Sequence, residues 1–526
     1  MTGAGNALKS LVLVLVAWAC LLGGDPSARA ATTTYTSPYA GGTISPGDTV
    51  VLDDGATITG AITNNGRLQF NQTSGTLTMS SALTGSGTLS LTNVGTLMLT
   101  GTTVSVGIGL DMTTTVDSGR LLIGNNGGRQ LHLGNTDGGV GRLSINGGSV
   151  GNGSSYLGYE AGGQASVTVS SGTWSNGSFT YVGWDGTATL DVTGGSVTGV
   201  VASIGRNLGS VGSVTVSGGT MSYSSNLTVG DQGTGSLTIG SGGLVVVKGN
   251  VVRGASGTIS LNAGGTLQIG TGTNSGVLLG GTGSLTNNGT VVFNRSNAST
   301  YAGVLSGSGA VTKLGLGTLT LSGSSSYTGA TAVDGGTMLV NGQLGNTAVA
   351  VNATGLLGGS GTILGGVTVA SSGTLAPGSS PGVLTVGSLS LSAGSHTLME
   401  ITGTSSSLYD QIVGTGAGGL TYGGSLNLVM TGSYANQTTF DLFNSFSSNT
   451  GDFFAVGLNA TGEYAGLTFT GDGGVWTSTA TARGQRLVFS TGTGDLVVVP
   501  EPSTYAMAFA GLAYGGYMIF RRRKQA

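Results

Sequence analysis

The chain of 526 residues contains few charged residues and a single cysteine, and both features exclude certain classes of function. Charged residues make up 7% of it and the net charge is −3, whereas an ordinary globular protein has about 25% charged residues. A net charge near zero argues against a nucleic acid partner, because neutralising phosphates requires clustered lysine and arginine, and only four lysines are present, one of them in the N-terminal and one in the C-terminal segment. The single cysteine, Cys20, excludes disulfides within the chain and a metal site built from several thiolates.

Residues that could carry catalysis are equally scarce. The two histidines, His132 and His396, are far apart in the sequence. Asp53 and Asp54 are adjacent, so on a strand they would point to opposite faces. A carbohydrate-active β-helical enzyme, the main catalytic alternative, needs carboxylates and a basic group gathered at the sugar. We therefore expect no catalytic residues, no metal site and no cofactor. Three further aspartates recur with the repeat described below and are interpreted as turn residues: Asp137, Asp185 and Asp231.

Glycine and small β-forming residues dominate what is present. There are 105 glycines, 38% of the residues are hydrophobic, and the mean hydropathy is +0.27. A disordered chain would combine low hydrophobicity with high net charge, and this chain has neither. The apolar residues are mainly valine, leucine and isoleucine beside threonine and serine, which favours strands. The composition therefore predicts many short strands separated by glycine-rich turns.

A repeat of about 24 residues runs through residues 130–270. An apolar residue followed by glycine marks each unit, and apolar and polar residues alternate within it, as in Val167-Thr168-Val169. Alternation with a period of two indicates a strand with one buried face. One unit cannot bury that face alone, so the units are expected to stack on one another. The marking glycines are separated by 24, 25, 22 and 25 residues: Gly134, Gly158, Gly183, Gly205 and Gly230.

These units resemble the repeat shared by autotransporter passengers and PEP-CTERM proteins. Residues of about 280–345 resemble the autotransporter-associated β-strand repeat, most clearly in the runs Gly307–Lys313 (GSGAVTK) and Ser326–Gly329 (SYTG). Together the resemblances imply an all-β fold, an elongated parallel β-helix (a β-solenoid) spanning residues 31–394.

The composition changes between residues 395 and 495, where phenylalanine becomes frequent. We predict a β-rich capping region with an aromatic core, which would cover one open end of the stack. The alternative is an exposed aromatic patch that binds carbohydrate or another partner. The aromatic residues on which this prediction depends are Phe440, Phe443, Phe446, Phe453, Phe454, Phe469, Trp476 and Phe489.

The first thirty residues have the pattern of a secretory signal peptide. The apolar run Leu11–Leu22 follows a basic residue and is too short to span a bilayer comfortably. Ala28 and Ala30 supply the small residues that signal peptidase requires, so cleavage is expected just before Ala31. Two alternatives are an uncleaved membrane anchor and a lipidation site at Cys20.

The C-terminal segment of residues 500–526 combines a Pro-Glu-Pro tripeptide, an apolar run and a basic cluster. Pro500 and Pro502 fix φ and lack N–H donors, so the tripeptide is expected to be extended and unpaired. Residues 503–520 are just long enough for a single transmembrane helix. The basic cluster would then remain in the cytoplasm. It consists of Arg521, Arg522, Arg523 and Lys524.

This segment resembles the PEP-CTERM sorting signal in the order and position of its three parts. The resemblance implies that Pro500, Glu501 and Pro502 are recognised by an exosortase-type membrane protease. The helix would hold the protein in the inner membrane only until that protease acts. A plain C-terminal membrane anchor is the alternative.

The sequence as a whole predicts an exported, non-catalytic structural or adhesin-like protein at the cell surface or in the extracellular matrix of a diderm bacterium. Its expected partners are signal peptidase, the exosortase-type protease, the inner membrane for a limited time, and extracellular polysaccharide. A neutral surface rich in threonine, serine and asparagine could adhere to polysaccharide through many weak contacts. The alternatives are the β-helical carbohydrate-active enzyme and a passive spacer that holds a partner away from the surface.

Overall fold

The computed structural model describes residues 30–93, 95–100, 107–109, 113–123, 129–272, 278–279, 285–378 and 381–501. Strands dominate this part of the chain, and its one helix is the three-residue 3-10 turn Gly462–Tyr464. Nearly all strand pairs are parallel. The predicted all-β parallel β-solenoid is therefore confirmed.

The transmembrane helix predicted for residues 503–520 lies outside the described residues, as do residues 1–29 of the predicted signal peptide. In the described part of the chain, no helix has the length and apolar character needed to span a membrane.

In the central part of the chain, each coil supplies one strand to each of three parallel sheets. The first sheet has thirteen strands. They are Thr32–Tyr35, Thr49–Leu52, Arg67–Phe70, Thr88–Leu91, Thr113–Val116, Val140–Ile145, Gln164–Val169, Thr187–Val192, Val211–Val216, Thr234–Ile239, Gly257–Leu261, Leu285–Asn287 and Leu305–Ser306.

The second sheet begins at Thr76 and continues to Gly451. Its strands are Thr76–Met79, Thr96–Leu99, Arg120–Ile123, Ser149–Asn152, Thr173–Asn176, Ser196–Gly199, Thr220–Tyr223, Leu244–Val247, Thr266–Ile269, Thr290–Phe293, Ala310–Lys313, Thr331–Val333, Gln343–Leu344, Val349–Val351, Thr362–Val369, Val383–Leu391, Gln411–Gly414, Leu420–Tyr422, Phe443–Asn444 and Asn449–Gly451.

The third sheet closes the coils of the 24-residue repeats. Its eight strands are Gly107–Gly109, Gln130–Leu133, Ser154–Leu157, Phe179–Val182, Val201–Ile204, Leu227–Val229, Val251–Arg253 and Leu278–Leu279. Two smaller sheets close the first coils, with strands Pro38–Tyr39 and Thr57–Ile58 in one, and Gly42–Ile44, Ile62–Asn64 and Leu83–Thr84 in the other.

From residue 299 onward a fourth parallel sheet takes over one side of the stack. Its strands are Ser299–Tyr301, Thr318–Leu321, Gly336–Val340, Gly355–Gly359, Thr374–Pro377, His396–Ile401, Ser425–Met430 and Ala455–Ala460. Parallel pairing thus continues to Ala460, well past residue 394, where the change in composition led us to end the repeats.

An antiparallel sheet of five strands follows, made of Thr439–Asp441, Phe469–Asp472, Val475–Ser478, Gln485–Ser490 and Asp495–Pro500. The aromatic residues of this region are mainly internal. Phe440, Phe443 and Phe489 are fully buried and Phe453 is nearly so, whereas Phe454 is 89% exposed. Their rings contact buried tyrosines, as in the edge-to-face pair of Tyr422 and Phe443. These contacts form a conventional aromatic core.

The parallel register places equivalent positions of successive repeats directly beside one another. In the first sheet Leu143 pairs with Val167, which pairs with Leu190, and the column continues through Val214 and Leu237. All are at most 2% exposed. The buried residues form one continuous cluster from Tyr39 to Val498, because every coil covers the apolar side of its neighbour.

A few polar side chains are buried among these columns and bond to one another. Asn152 and Asn176 occupy paired positions of the second sheet. The amide of Asn152 donates to Asn176 at 2.9 Å, and the indole Nε1 of Trp174 donates to Asn152 at 2.8 Å. Ser155 also donates to Asn176. Such internal hydrogen bonds link successive coils and compensate for loss of hydration.

Glycine at the coil corners allows the backbones to approach closely. Gly172 has φ of +76°, and a Cβ atom there would lie 2.1 Å from the carbonyl oxygen of Gly148 in the preceding coil. Gly138 has a similar φ of +71°, but no atom lies within 4 Å of the position of its Cβ. The two corners therefore share the same backbone conformation but differ in the space between adjacent coils.

Asp410 is a buried carboxylate, only 2% exposed, in the C-terminal coils. It accepts backbone N–H bonds from Gly382 at 2.7 Å and from Glu400 at 2.8 Å. The pKa of Asp410 is nevertheless raised to about 6, mainly by burial; the two hydrogen bonds oppose the rise, and the charge of Glu400 contributes a smaller part of it.

We expect Gly172→Ala to lower the free energy of unfolding by about 1–3 kcal/mol more than Gly138→Ala, because only the first introduces a backbone clash. Both variants bear the cost of a positive φ. Thermal unfolding of the two variants, monitored by circular dichroism, compares their stabilities. Equal melting temperatures for the two variants would contradict the close coil packing.

We expect the stability contribution of Asp410 to be present below about pH 4 and lost as the pH rises through about 6, because the folded-state pKa is raised. The difference corresponds to at most about 3 kcal/mol. Melting temperatures of the wild type and of Asp410→Asn, measured from pH 4 to pH 7, isolate this contribution. A wild-type curve that stays parallel to that of the variant would disprove it.

Candidate functional site

The carboxylates and histidines of the described chain are dispersed. No group of three or more His, Cys, Asp or Glu side chains in these residues is close enough to hold a metal ion. Of the turn aspartates, Asp137 and Asp185 are exposed. Asp185 accepts a hydrogen bond from the amide of Asn207 at 2.8 Å, and Asp231 forms an ion pair with Arg206. Asp185 and Asp231 thus join adjacent coils through side-chain contacts, which differ from the bonds to their own backbone expected of turn aspartates.

One pair of carboxylates shares a cavity in the C-terminal region. Asp441 and Asp495 are directly opposite in the antiparallel sheet and line an open cavity of about 360 Å³ with Asn444 and Asn449. Burial, with added repulsion from Asp495, raises the pKa of Asp441. The residues that line the cavity include no lysine, arginine or histidine, so the basic group that a lyase requires is not among them.

The most distinctive surface feature is a group of aromatic side chains on the third sheet and its adjoining corners, here called the aromatic strip. Its side chains come from three successive coils and point away from the apolar columns. The strip comprises His132, Tyr156, Tyr159, Phe179, Tyr181 and Trp184.

The repeat register assembles the strip in two columns. On the strands, His132 pairs with Tyr156 and Tyr156 pairs with Tyr181. At the corners, Tyr159 and Trp184 each follow a marking glycine, Gly158 or Gly183, which has a positive φ. Because side chains alternate along a strand, Thr180 and Val182 point inward and are buried, while Phe179 and Tyr181 point outward.

The rings of the strip contact one another closely. Tyr156 and Tyr181 have centroids 5.0 Å apart, and Trp184 meets both edge-on, at 4.9 Å from Tyr156 and 4.6 Å from Tyr181. Phe179 stacks on Tyr181 at 5.4 Å. Phe179 remains 37% exposed, and the other three are partly exposed. The result is a rigid aromatic surface in contact with solvent.

Polar groups surround the aromatic strip. At one end, His132 is buried, stacks on Tyr159 at 4.0 Å, and has its ring nitrogens 3.1 Å from the side-chain oxygens of Asn135 and Gln130. Burial lowers the pKa of His132, although the Asn135 bond opposes this effect. Burial raises the pKa of Tyr181, and neighbouring Tyr156 adds to the rise. Both shifts favour the uncharged forms of His132 and Tyr181.

The predicted signal-cleavage position lies at the beginning of the first coil. Ala30 is exposed, whereas Ala28 is outside the described residues. The backbone N–H of Ala31 donates to the carboxylate of Asp48 at 3.0 Å, and its carbonyl accepts the N–H of Thr49 at 2.7 Å. Ala31 is thus held in the first coil.

The first two residues of the predicted sorting motif are extended, but the prediction that they are unpaired is wrong. Pro500 ends a strand and is paired with Gln485 in the antiparallel sheet. The N–H of Glu501 donates to Gly484 at 2.7 Å, and its carboxylate accepts from Arg486 at 3.2 Å. A proline can end such a strand where its missing N–H is not required. Pro502 and the basic cluster 521–524 lie outside the described residues.

Comparison with known families gives one match. The family model of the passenger-associated-transport-repeat matches residues 311–340, within the segment in which the sequence predicted an autotransporter-associated repeat. No curated protein matches the chain.

The matched segment contains a buried polar network that joins its coils. Lys313 is only 1% exposed, and its ammonium donates to the carbonyl oxygens of Gly315 and of Gly335, the latter at 3.0 Å. Burial lowers the pKa of Lys313 to about 8. Nearby, the hydroxyls of Tyr327 and Thr331 are 2.7 Å apart. Lys313 and Tyr327, which belong to the two runs typical of the repeat, are thus internal contacts of the solenoid.

Sequence reasoning placed aromatic binding only in the C-terminal region and missed the aromatic strip. The signal was available, because aligned units begin with His132, Tyr156 and Tyr181 at one position. Periodicity identified this position as part of a strand. It did not show that the side chains face outward and meet across coils.

We expect Trp174→Ala to destabilise the protein by about 3–5 kcal/mol, because it empties a fully buried site and leaves Asn152 without its indole donor. Phe179→Ala, on the neighbouring strand, should cost about 1 kcal/mol or less, because the ring is external. Thermal melting of both variants tests this contrast. A large loss with Phe179→Ala would mean that the strip is part of the core.

Proposed function

We propose that this chain is an exported, surface-exposed, adhesin-like passenger that has no catalytic role. The observation that carries the proposal is the passenger-repeat match within a continuous parallel β-solenoid. The stacked coils display long rows of threonine, serine and asparagine, and the aromatic strip adds a concentrated contact surface. This strip favours adhesion over a passive spacer, because a spacer has no use for partly exposed aromatic rings.

A non-catalytic role is supported by the contacts of the polar residues, which join parts of the fold to one another. Asp185 and Asp231 are bonded to neighbouring corners, and the buried Lys313 is bonded to backbone carbonyls. The paired carboxylates Asp441 and Asp495 remain the best enzymatic candidate, and they lack a basic neighbour in their cavity.

Export through a cleaved signal peptide is consistent with the contacts of Ala31. Cleavage before this residue would create an ammonium group at the position where its N–H already donates to Asp48. An ion pair would then replace a neutral donor, which strengthens the bond. The mature N-terminus would remain attached to the first coil.

Sorting by an exosortase-type protease is part of the same proposal. The protease would recognise Pro500, Glu501 and Pro502 while residues 503–520 hold the chain in the inner membrane. Because Pro500 and Glu501 are bonded to the antiparallel sheet, the motif would be presented next to the folded body. The extracellular polysaccharide of the producing bacterium is the proposed adhesion partner.

The test is complementation of a strain that lacks the gene. The wild type should reach the surface with Ala31 as its first residue and an end near Pro500, and should restore cell clumping. The double variant Glu501→Gln/Pro502→Ala should keep the arginine tail, stay in the inner membrane and fail to restore clumping. Mass spectrometry of surface-shed protein and sedimentation of cells provide the readouts.

The control is Pro46→Ala, which changes an exposed turn proline far from the tail and should behave as the wild type. Mature surface protein with an intact arginine tail would refute sorting. Unchanged clumping in the deletion strain would refute adhesion and favour the spacer.

A further inference from the structure

We propose that the aromatic strip is a binding site for neutral polysaccharide, with pyranose rings lying against Tyr156, Phe179, Tyr181 and Trp184. This inference rests on the surface role proposed above and assigns a ligand class to one defined surface of the solenoid.

The solenoid does not need aromatic residues at these positions. The position paired with Tyr181 on the next coil is Ser203, and the following one is Thr228. Those coils stack in the same register, with inward neighbours as fully buried as those of the aromatic coils. The outward rings are therefore an addition to the repeat and not a condition for its stacking.

The chemistry of the strip fits the flat face of a sugar ring. An aromatic ring carries partial negative charge on its face. The C–H groups on one face of a pyranose carry partial positive charge and little hydration, so the two faces attract each other. The hydroxyl of Tyr156 and the side-chain amide of Gln130 are 3.4 Å apart. Both groups can donate hydrogen bonds to sugar hydroxyls and accept hydrogen bonds from them.

The geometry also favours a polymer over a single sugar. Successive coils are about 4.8 Å apart, so rings on consecutive coils are presented in a row along the solenoid axis. A polysaccharide lying along this axis can contact more than one ring at once, and linked contacts raise the overall affinity.

The charge around the strip favours neutral sugars over uronic acids. Glu160 and Asp185 are exposed at the corners beside Tyr159 and Trp184. The nearby Arg206 is already paired with Asp231. An anionic polymer would be repelled by the carboxylates of Glu160 and Asp185. The cation of Arg206 is already paired, so it does not offset this repulsion, and binding of the polymer is disfavoured.

The experiment uses the purified full chain and three insoluble neutral polysaccharides, namely amorphous cellulose, chitin and a cross-linked dextran, with cross-linked polygalacturonate as the anionic comparison. The wild type should be retained by at least one neutral polymer and not by polygalacturonate. Phe179→Ala/Trp184→Ala should weaken that retention at least tenfold. Phe454→Ala, which removes an exposed aromatic ring far from the strip in sequence, should be retained as the wild type.

A second measurement does not depend on the stability of the double variant. Soluble oligosaccharide from the retained polymer should change the tryptophan fluorescence of the wild type, and Trp184→Phe should abolish the change. Of the other described tryptophans, Trp174 is fully buried and Trp476 lies in the C-terminal antiparallel sheet, outside the strip. The inference is overturned if no neutral polymer retains the wild type, if polygalacturonate retains it equally, or if Phe454→Ala is as impaired as the strip variant. A wild type that binds none of these polymers but still restores clumping would refute the site and leave the surface role intact.

Discussion

Close contact between successive coils is the constraint on which this structure depends. Each coil has one apolar side that only another coil can cover, so burial requires that strands pair in parallel and in register. Columns such as Leu143, Val167 and Leu190 are the direct result. The same closeness accounts for the glycines, because at Gly172 the preceding backbone occupies the space that a side chain would need. A chain built in this way has little internal room for charge, and the buried ammonium of Lys313 donates hydrogen bonds to two backbone carbonyls.

The register that builds the core also organises the surface. A residue type repeated at one outward position becomes a continuous row, since equivalent positions lie one strand spacing apart. This is how Tyr156 and Tyr181, 25 residues apart in sequence, come to have rings 5.0 Å apart. Inside the solenoid the same rule brings Asn152 and Asn176 into contact. A polar residue repeated at an inward position therefore links successive coils. A residue repeated at an outward position instead builds a surface that a partner can contact.

The two predicted processing positions are attached to the folded body. Ala31 is bonded to Asp48 and Thr49 in the first coil, and Glu501 is bonded to Gly484 and Arg486 in the antiparallel sheet. Proteolysis at either position would thus act on a segment in direct contact with the fold. Under the function proposed above, the protein would fold as one body and be processed at its ends.

The sequence alone determined the strand content, the alternation of apolar and polar positions, and the stacking of the repeats. The first two follow from local rules, because alternation with a period of two acts within a few residues, and the stacking follows from the repeat of about 24 residues. It did not determine where stacking ends. Aromatic residues can fill the same inward positions as aliphatic ones, so the shift to phenylalanine after residue 395 did not stop parallel pairing before Ala460. Nor did it show that Pro500 and Glu501 are paired, or that aromatic side chains of three successive coils meet in one partly exposed strip. Only the tertiary structure decided these points, because each depends on which distant segments meet and on which side of a strand faces water.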